Sequence, residues 1–169
     1  MMYEVRVIGG AHRVEVPPRV PRPLAVNLGC ANRPMEGWMN LDMQPLDGVD
    51  VVYRVDPFYP ELPFYDNTVE AINANNFVEH IADTVGLITE MWRISVDGAR
   101  WQILTPGYRD PNSWNDPGHL SHWASRVLDF FTEEGFDGRH YGDARLTYEL
   151  SGDDDHGLEF LVTAIKGDR

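Results

Sequence analysis

The sequence predicts one α/β domain built on a mainly parallel β-sheet, with an antiparallel hairpin at its C-terminal end. Short apolar runs, typical of strands buried on both faces, recur from Leu24 onward and are separated by turns. Residues 77–95 carry apolar side chains at helical spacing. Two further strand-like runs, residues 144–150 and 158–165, flank the acidic turn SGDDDHG, which indicates a hairpin.

An N-terminal extension is expected to precede this domain. Residues 1–23 alternate apolar and polar side chains around a glycine pair and end in PPRVPRP, which predicts a hairpin followed by a stiff proline-rich linker. Residues 24–169 then form the single main domain. Its early strands are predicted at residues 24–28, 38–41, 49–55 and 69–73.

Two helices and a further strand are expected before the terminal hairpin. The first helix, residues 77–95, is predicted to stop at Asp97-Gly98. A strand follows at residues 100–104. Residues 108–121 form a polar loop whose length is typical of functional loops. The second helix is predicted at residues 123–134.

Composition excludes several classes of partner. The chain of 169 residues has a formal net charge of −13, so the phosphate backbone of a nucleic acid would repel it. No apolar run reaches the roughly 20 residues of a membrane-spanning helix. Cys30 is the only cysteine, which fits a reducing compartment, and no secretory signal is visible. We therefore expect a cytoplasmic protein without a membrane or nucleic-acid partner.

Small and polar residues follow the five strands that are predicted to be parallel. In such sheets, ligands bind outside the carboxyl ends of the strands. Gly29 lets the backbone approach a ligand because it has no Cβ, and Asp42 can accept two hydrogen bonds from a ribose diol. These residues fit equally well a simple turn with strand-end caps. The strand-end residues are Gly29–Asn32, Asp42, Asp56, Asn75-Asn76 and Pro106-Gly107.

Four segments in order resemble motifs of the class I S-adenosylmethionine-dependent methyltransferases, especially the type 11-like group. They are NLGCANRPMEGWMNLD, LPFYDNTVEAI, VEHI and MWRISVDGA. The resemblance covers about residues 24–135. It implies a Rossmann-like three-layer sandwich that binds S-adenosylmethionine and releases S-adenosylhomocysteine.

The resemblance also implies a cofactor site at the ends of the first two strands. Gly29 would lie beneath the methionine part of the cofactor. Asn27, Cys30 and Ala31 would surround that part, and Asp42 would bind the ribose hydroxyls.

Two later strand ends complete the implied site, and the chain departs from the family at several points. Asp56 would sit near the adenine, and Asn75 beside the sulfonium and the amino group. Asn27 stands where many members carry an acidic residue, and Ala31 replaces a common second glycine. The connection at residues 29–37 is shorter than the dozen or more residues of a usual parallel crossover, so the first helix must shrink to about a turn.

Histidines are the candidate catalytic residues. A base is needed only when the acceptor is poorly ionised. His119 is the first candidate for a base or substrate contact and His80 the second, although each could simply form structural hydrogen bonds. Asp116, His119 and His122 could also ligate zinc. They lack a fourth ligand, so no metal is assigned.

The predicted function is methyl transfer to a small-molecule, sugar or nucleotide-type acceptor, since no extra substrate domain is visible. The departures at Asn27 and Ala31 favour one alternative, a non-catalytic binding or assembly protein that keeps the methyltransferase fold. The sequence leaves the acceptor and the oligomeric state open.

Overall fold

A seven-stranded sheet organises the chain, which we describe from a computed structural model over residues 24–167. The predicted N-terminal hairpin and linker lie outside these residues. The strand order is β3-β2-β1-β4-β5-β7-β6. The strands are β1 (Leu24–Leu28), β2 (Met39–Asp42), β3 (Val51–Val52), β4 (Val69–Asn75), β5 (Ser95–Pro106), β6 (Arg145–Gly152) and β7 (Gly157–Ile165).

The strand directions confirm the predicted sheet. β1 to β5 run parallel to one another, whereas β7 runs antiparallel to β5 and to β6. The carboxyl ends of β1, β2 and β4 therefore meet at one edge. The helical cover is thin, since the described helices are α1 (Thr84–Ile94) and the five-residue α2 (Pro111–Asn115). None of the described helices is long and apolar enough to cross a membrane.

The first predicted helix was too long at its N-terminal end. Residues 78–80 form a 3₁₀ turn, and α1 begins only at Thr84. The Pro57 carbonyl accepts hydrogen bonds from the backbone N–H groups of Ala82 and Asp83, which holds this stretch out of a helix. The Asp83 carboxylate then caps α1 by accepting from the Gly86 N–H at 2.8 Å. α1 buries Leu87, Ile88, Met91 and Ile94 in the core.

The second predicted helix, residues 123–134, was wrong. The chain there forms only a 3₁₀ turn at Val127–Phe131. Phe130 stacks on Phe136 with ring centroids 4.8 Å apart, and its carbonyl accepts from the Tyr141 N–H. The apolar residues at helical spacing therefore lie in a 3₁₀ turn, and the chain after this turn folds back onto Phe130. The predicted loop 108–121 likewise contains α2.

A row of asparagine side chains crosses the sheet. Asn40 on β2, Asn27 on β1 and Asn73 on β4 are paired in register. Asn73 Nδ2 donates to Asn27 Oδ1 at 2.8 Å, and Asn27 Nδ2 donates to Asn40 Oδ1 at 2.9 Å. A polar row of this kind offers hydrogen-bonding groups where a sheet face otherwise presents apolar side chains to a helix.

The asparagine row explains the shortened first crossover, which the structure confirms. Residues 29–38 contain no helix. Asn27 Nδ2 also donates to the Arg33 carbonyl at 3.1 Å. Asn40 accepts from the Met35 N–H at 2.7 Å and donates to the Met35 carbonyl at 3.1 Å. The turn is thus fastened through its backbone, and no apolar helix is needed to cover this part of the sheet.

Arg93 joins two of the segments that resemble family motifs. Its guanidinium donates to the Leu62 and Phe64 carbonyls, both at 3.0 Å. It also donates to the carboxylates of Glu90 at 2.7 Å and Asp66 at 2.6 Å. Glu90 in turn accepts from the Leu62 N–H at 2.8 Å. Arg93 therefore ties the LPFYDN segment to the MWR segment.

Replacing Arg93 with lysine is expected to lower the free energy of unfolding by about 1–3 kcal/mol. Lysine has a single ammonium and cannot reproduce the planar fork, so a buried carbonyl loses its donor. Urea denaturation measures the change. Arg100→Lys, at an exposed position on β5, is the matched control and should stay within about 0.5 kcal/mol of the original chain. Equal losses in the two variants would contradict this role.

Candidate functional site

A cleft of about 840 Å³, which we call the Gly29 cleft, opens at the carboxyl ends of β1 and β2. It brings together three of the predicted cofactor residues, Gly29, Ala31 and Asp42, with side chains from later segments. The residues that line the cleft include Gly29, Ala31, Asp42, Tyr53, Phe77 and Leu120.

Gly29 turns the chain sharply where β1 ends. Its φ of +62° lies in the left-handed region that glycine adopts without strain. A Cβ at this position would lie 2.7 Å from Cδ2 of Phe77. The Phe77 ring therefore occupies the space beside Gly29 that was predicted to be open for a ligand. Ala31 also has a positive φ, +45°.

Asp42 closes the same turn from β2. Its Oδ2 accepts from the Ala31 N–H at 2.9 Å, and its Oδ1 accepts from the Gln44 N–H at 2.8 Å. Each carboxylate oxygen has further acceptor capacity. Asp42 can thus fix the glycine turn and still receive two hydroxyl groups from a ligand in the cleft.

Two of the predicted cofactor residues lie beneath the turn and do not line the cleft. Asn27 is only 2% exposed, and its side chain belongs to the asparagine row described above. Cys30 is also buried, and burial raises the pKa of its thiol to about 11. The thiol is therefore neutral near pH 7, and both residues shape the turn from below.

Asp56 and Asn75 do not line the Gly29 cleft, although their chain neighbours Val55, Pro57 and Asn76 do. The Asp56 carboxylate accepts from the N–H groups of Phe58 and Tyr59 at 2.8 and 3.1 Å, and so caps an exposed turn. Asn75 lies at the end of β4 and lines a second cavity. Their predicted cofactor contacts stay predictions.

This second cavity, the His119 cavity, measures about 1020 Å³ and adjoins the Gly29 cleft. Asn76 and His80 line both spaces. Its wall is rich in carboxylates and histidines. The residues that line this cavity include Asn75, Glu79, His80, Asp116, His119 and Glu159.

Both predicted catalytic histidines lie in this cavity, and their tautomers follow from their partners. His80 Nδ1 lies 2.9 Å from the Gly118 carbonyl, and His119 Nδ1 lies 3.1 Å from the Ser113 carbonyl. A carbonyl can only accept, so each Nδ1 carries a proton, and in the neutral form of each ring the lone pair is on Nε2. The two rings meet edge to face with centroids 4.9 Å apart.

His122 takes no part in this pair. Its Nδ1 lies 3.0 Å from the Ser113 hydroxyl, and its ring stacks on Trp114 at 3.5 Å. Of the cluster considered from the sequence, Asp116 and His119 meet, with Asp116 Oδ2 3.7 Å from His119 Nε2, whereas His122 lies apart from them. Glu79 was not predicted as a site residue, although it belongs to the VEHI motif. Its position directly before His80, a candidate catalytic residue, was the feature of the sequence that could have identified it.

Glu79 is a buried carboxylate at the base of the cavity. It is 1% exposed, and burial raises its pKa above the usual value for glutamate. Its Oε2 accepts from the Thr105 hydroxyl at 3.1 Å. Its Oε1 is buried without any hydrogen-bond partner among the residues that the structure describes. An unsatisfied buried acceptor of this kind is uncommon in a folded protein.

The acidic turn between β6 and β7 fixes the segment that walls the cavity. The Asp154 carboxylate accepts from the Ser125 N–H at 2.6 Å, and the Asp154 carbonyl accepts from the Arg109 N–H at 2.8 Å. The His156 carbonyl accepts from the Gly107 N–H at 2.6 Å. The long segment after β5 is therefore tied to the C-terminal hairpin at both of its ends.

Solved methyltransferase structures share this architecture. One similar chain comes from the complex between the Haloferax volcanii Trm112 methyltransferase activator and a proposed methyltransferase (TM-score 0.57, 16% identity, 86% of each chain). Another is a proposed type 11 methyltransferase from Sulfolobus solfataricus (TM-score 0.53, 16% identity, 86% of each chain). A third is a SAM-dependent methyltransferase from Methanosarcina mazei (TM-score 0.53, 14% identity, 87% of this chain and 94% of that one).

No protein-family model matches the sequence, and no curated protein matches it significantly. At 14–16% identity, the structural likeness shows the fold. The chain therefore has the fold of the class I S-adenosylmethionine-dependent methyltransferases. This confirms the fold that the four ordered motifs implied.

Proposed function

We propose that the chain transfers a methyl group from S-adenosylmethionine to a small-molecule acceptor. One observation carries this proposal. The Gly29 cleft and the His119 cavity are separate spaces that share Asn76 and His80 along their common border. A cofactor in the first space and an acceptor in the second would meet at these two residues.

The residues of the Gly29 cleft fit the adenosine and methionine portions of the cofactor. Asp42 is in position for the ribose diol because both of its oxygens can accept again. Tyr53 and Leu120 add apolar surface suited to an adenine ring. The turn from Gly29 to Ala31 presents backbone to the remaining part of the cofactor, with Phe77 beside it.

S-adenosylmethionine, when bound, supplies an electrophilic methyl group. The chain's own task is to orient the acceptor and to exclude water from the border of the two spaces. If the acceptor is a hydroxyl group, it must lose a proton. In the neutral form of each ring, Nε2 of His80 and Nε2 of His119 have the lone pair for that proton, since both Nδ1 atoms donate to carbonyls. The Asp116 carboxylate, with Oδ2 3.7 Å from His119 Nε2, would stabilise the protonated His119 ring.

The wall of the His119 cavity favours an acceptor without phosphate groups. The carboxylates of Glu79, Asp110, Asp116 and Glu159 line the cavity, and the whole chain carries a net charge of −13. Like charges would repel a phosphorylated substrate. Within the predicted range of acceptors, a neutral or cationic small molecule or an unphosphorylated sugar suits this wall best. We place the reaction in the cytoplasm, as the single cysteine suggests.

Titration with S-adenosylhomocysteine tests the cofactor site. Asp42→Asn is expected to weaken binding by about 10–150-fold, equivalent to the about 1.5–3 kcal/mol of a hydrogen bond to a charged group. The amide keeps only one of the two acceptors that hold the turn, so urea denaturation must accompany the titration to show that the variant is folded. Asp143→Asn is the matched control, because Asp143 is exposed in the segment before β6 and does not line the cleft, so its affinity should equal that of the original chain.

Absence of heat with the original chain would overturn the proposal. The alternative, a non-catalytic binding or assembly protein, has one observation in its favour, the Phe77 ring packed over Gly29. Thermal denaturation separates the two. At 100 times its dissociation constant, a bound ligand adds about 2.7 kcal/mol to stability. A chain that lost cofactor binding would show no shift.

A further inference from the structure

Three potential metal ligands converge on the floor of the His119 cavity. Glu79, His80 and His119 each offer one ligand atom, and these atoms lie within 4.8 Å of one another. Glu79 and His80 are neighbours in the 3₁₀ turn at Val78–His80, whereas His119 arrives from the segment after α2. Packing therefore assembles the group from two distant parts of the chain.

Both imidazoles are held as metal-binding histidines usually are. Such histidines typically donate their second ring N–H to a backbone carbonyl or a carboxylate, which fixes the ring and the tautomer. His80 donates to the Gly118 carbonyl and His119 to the Ser113 carbonyl. A proton acceptor in catalysis needs only one such ring. Here two oriented imidazole rings lie with their centroids 4.9 Å apart, an arrangement that suits two ligands of one metal ion.

Glu79 supplies the second, independent observation. Its Oε1 is fully buried and has no hydrogen-bond partner in the described part of the chain, while Oε2 is held by Thr105. A buried, unpaired carboxylate oxygen is costly unless a cation or a donor satisfies it. A metal ion held by Glu79 and the two rings would supply a cation for this buried carboxylate.

We propose that Glu79, His80 and His119 bind one divalent first-row transition metal ion, with its remaining coordination positions open to the His119 cavity. Two imidazole nitrogens with one carboxylate suit zinc or iron(II), whereas magnesium and calcium prefer oxygen ligands alone. The open positions face the space proposed for the acceptor. With an ion bound, the Nε2 lone pairs of His80 and His119 would be taken up by the metal. The metal, and not a histidine, would then make a bound hydroxyl group more acidic, and its proton would pass to solvent. The binding site itself does not depend on the methyltransferase proposal.

Metal titration of the full chain tests the site. After exhaustive chelation, Zn²⁺ is expected to bind with a stoichiometry of one, and Co²⁺ to give the visible absorption of a low-symmetry site with nitrogen ligands. His119→Gln and Glu79→Gln should each weaken Zn²⁺ binding by at least about 100-fold, the upper end of what the loss of a supporting partner costs. His156→Gln is the matched control, because His156 lies in the exposed acidic turn and pairs with Asp153.

The outcomes separate the site from adventitious binding. Equal Zn²⁺ affinity in the original chain and in His119→Gln would overturn the proposal, as would a loss confined to His156→Gln. Circular dichroism checks that each variant is folded. If Glu79→Gln unfolds, the Co²⁺ spectrum of the original chain and of His119→Gln decides the question. Titration with S-adenosylhomocysteine in metal-free buffer is a separate readout, so failure of the metal site and failure of the methyltransferase proposal can be told apart.

Discussion

Gly29→Ala is expected to destabilise the chain and to disturb the Gly29 cleft at once. A non-glycine residue at φ +62° costs about 1–2 kcal/mol. The added Cβ would also lie 2.7 Å from the Phe77 ring, and overpacking of this kind costs about 1–3 kcal/mol. Urea denaturation measures the loss of stability, and titration with S-adenosylhomocysteine measures the loss of binding.

Gly37→Ala separates the two contributions. Gly37 also has a positive φ, +80°, but a Cβ there would meet nothing within 4 Å. It should therefore cost only the backbone penalty of about 1–2 kcal/mol. The double variant Gly29→Ala with Phe77→Leu should be more stable than additivity predicts, because the smaller side chain relieves the contact. Equal losses for Gly29→Ala and Gly37→Ala would show that Phe77 does not press on the turn.

Asn27→Asp is expected to cost about 1–3 kcal/mol for each of the two acceptors that it leaves without a donor. Asn27 Nδ2 donates to Asn40 Oδ1 and to the Arg33 carbonyl, and an aspartate at this position could donate to neither. The change would also bring a carboxylate into a site that is 2% exposed. Denaturation in urea gives the free energy of unfolding.

Asn32→Asp is the control for this change. Asn32 lies in the same turn but is exposed, so its variant should remain within about 0.5 kcal/mol of the original chain. A stable Asn27→Asp variant would mean that the asparagine row does not hold the turn. A destabilised Asn27→Asp variant would give a structural reason for asparagine at this position, where many members of the resembled group carry an acidic residue: the amide donates two hydrogen bonds that a carboxylate cannot.

The motif segments illustrate what residue patterns can predict. Short apolar runs identified the strands because a buried strand needs apolar side chains on both faces. Gly29 and Asp42 were recognised because a tight turn and a strand-end carboxylate leave a local signature, and both do line one cleft. The LPFYDN and MWR segments were recognised as family features. Only the structure shows that Arg93, in the MWR segment, donates hydrogen bonds to the Leu62 and Phe64 carbonyls of the LPFYDN segment.

Side-chain direction and long-range pairing were beyond the sequence. Asn27 could face the ligand or the neighbouring strands, and its partners on β2 and β4 decided for the strands. Asp56 follows the short strand β3, and its carboxylate accepts a hydrogen bond from the Phe58 N–H two residues later. It does not line the Gly29 cleft. Residues 123–134 had helical spacing, yet aromatic stacking closed them into a 3₁₀ turn.

The sequence alone determined the α/β class, the parallel strands and the glycine turn that faces Asp42, because apolar runs and turn residues act locally. Tertiary structure alone decided which polar groups meet. Glu79 and His80 come from one turn and His119 from another segment, and only their packing places three ligand atoms within 4.8 Å. Such convergence depends on chain paths that are distant in sequence, which no local pattern encodes.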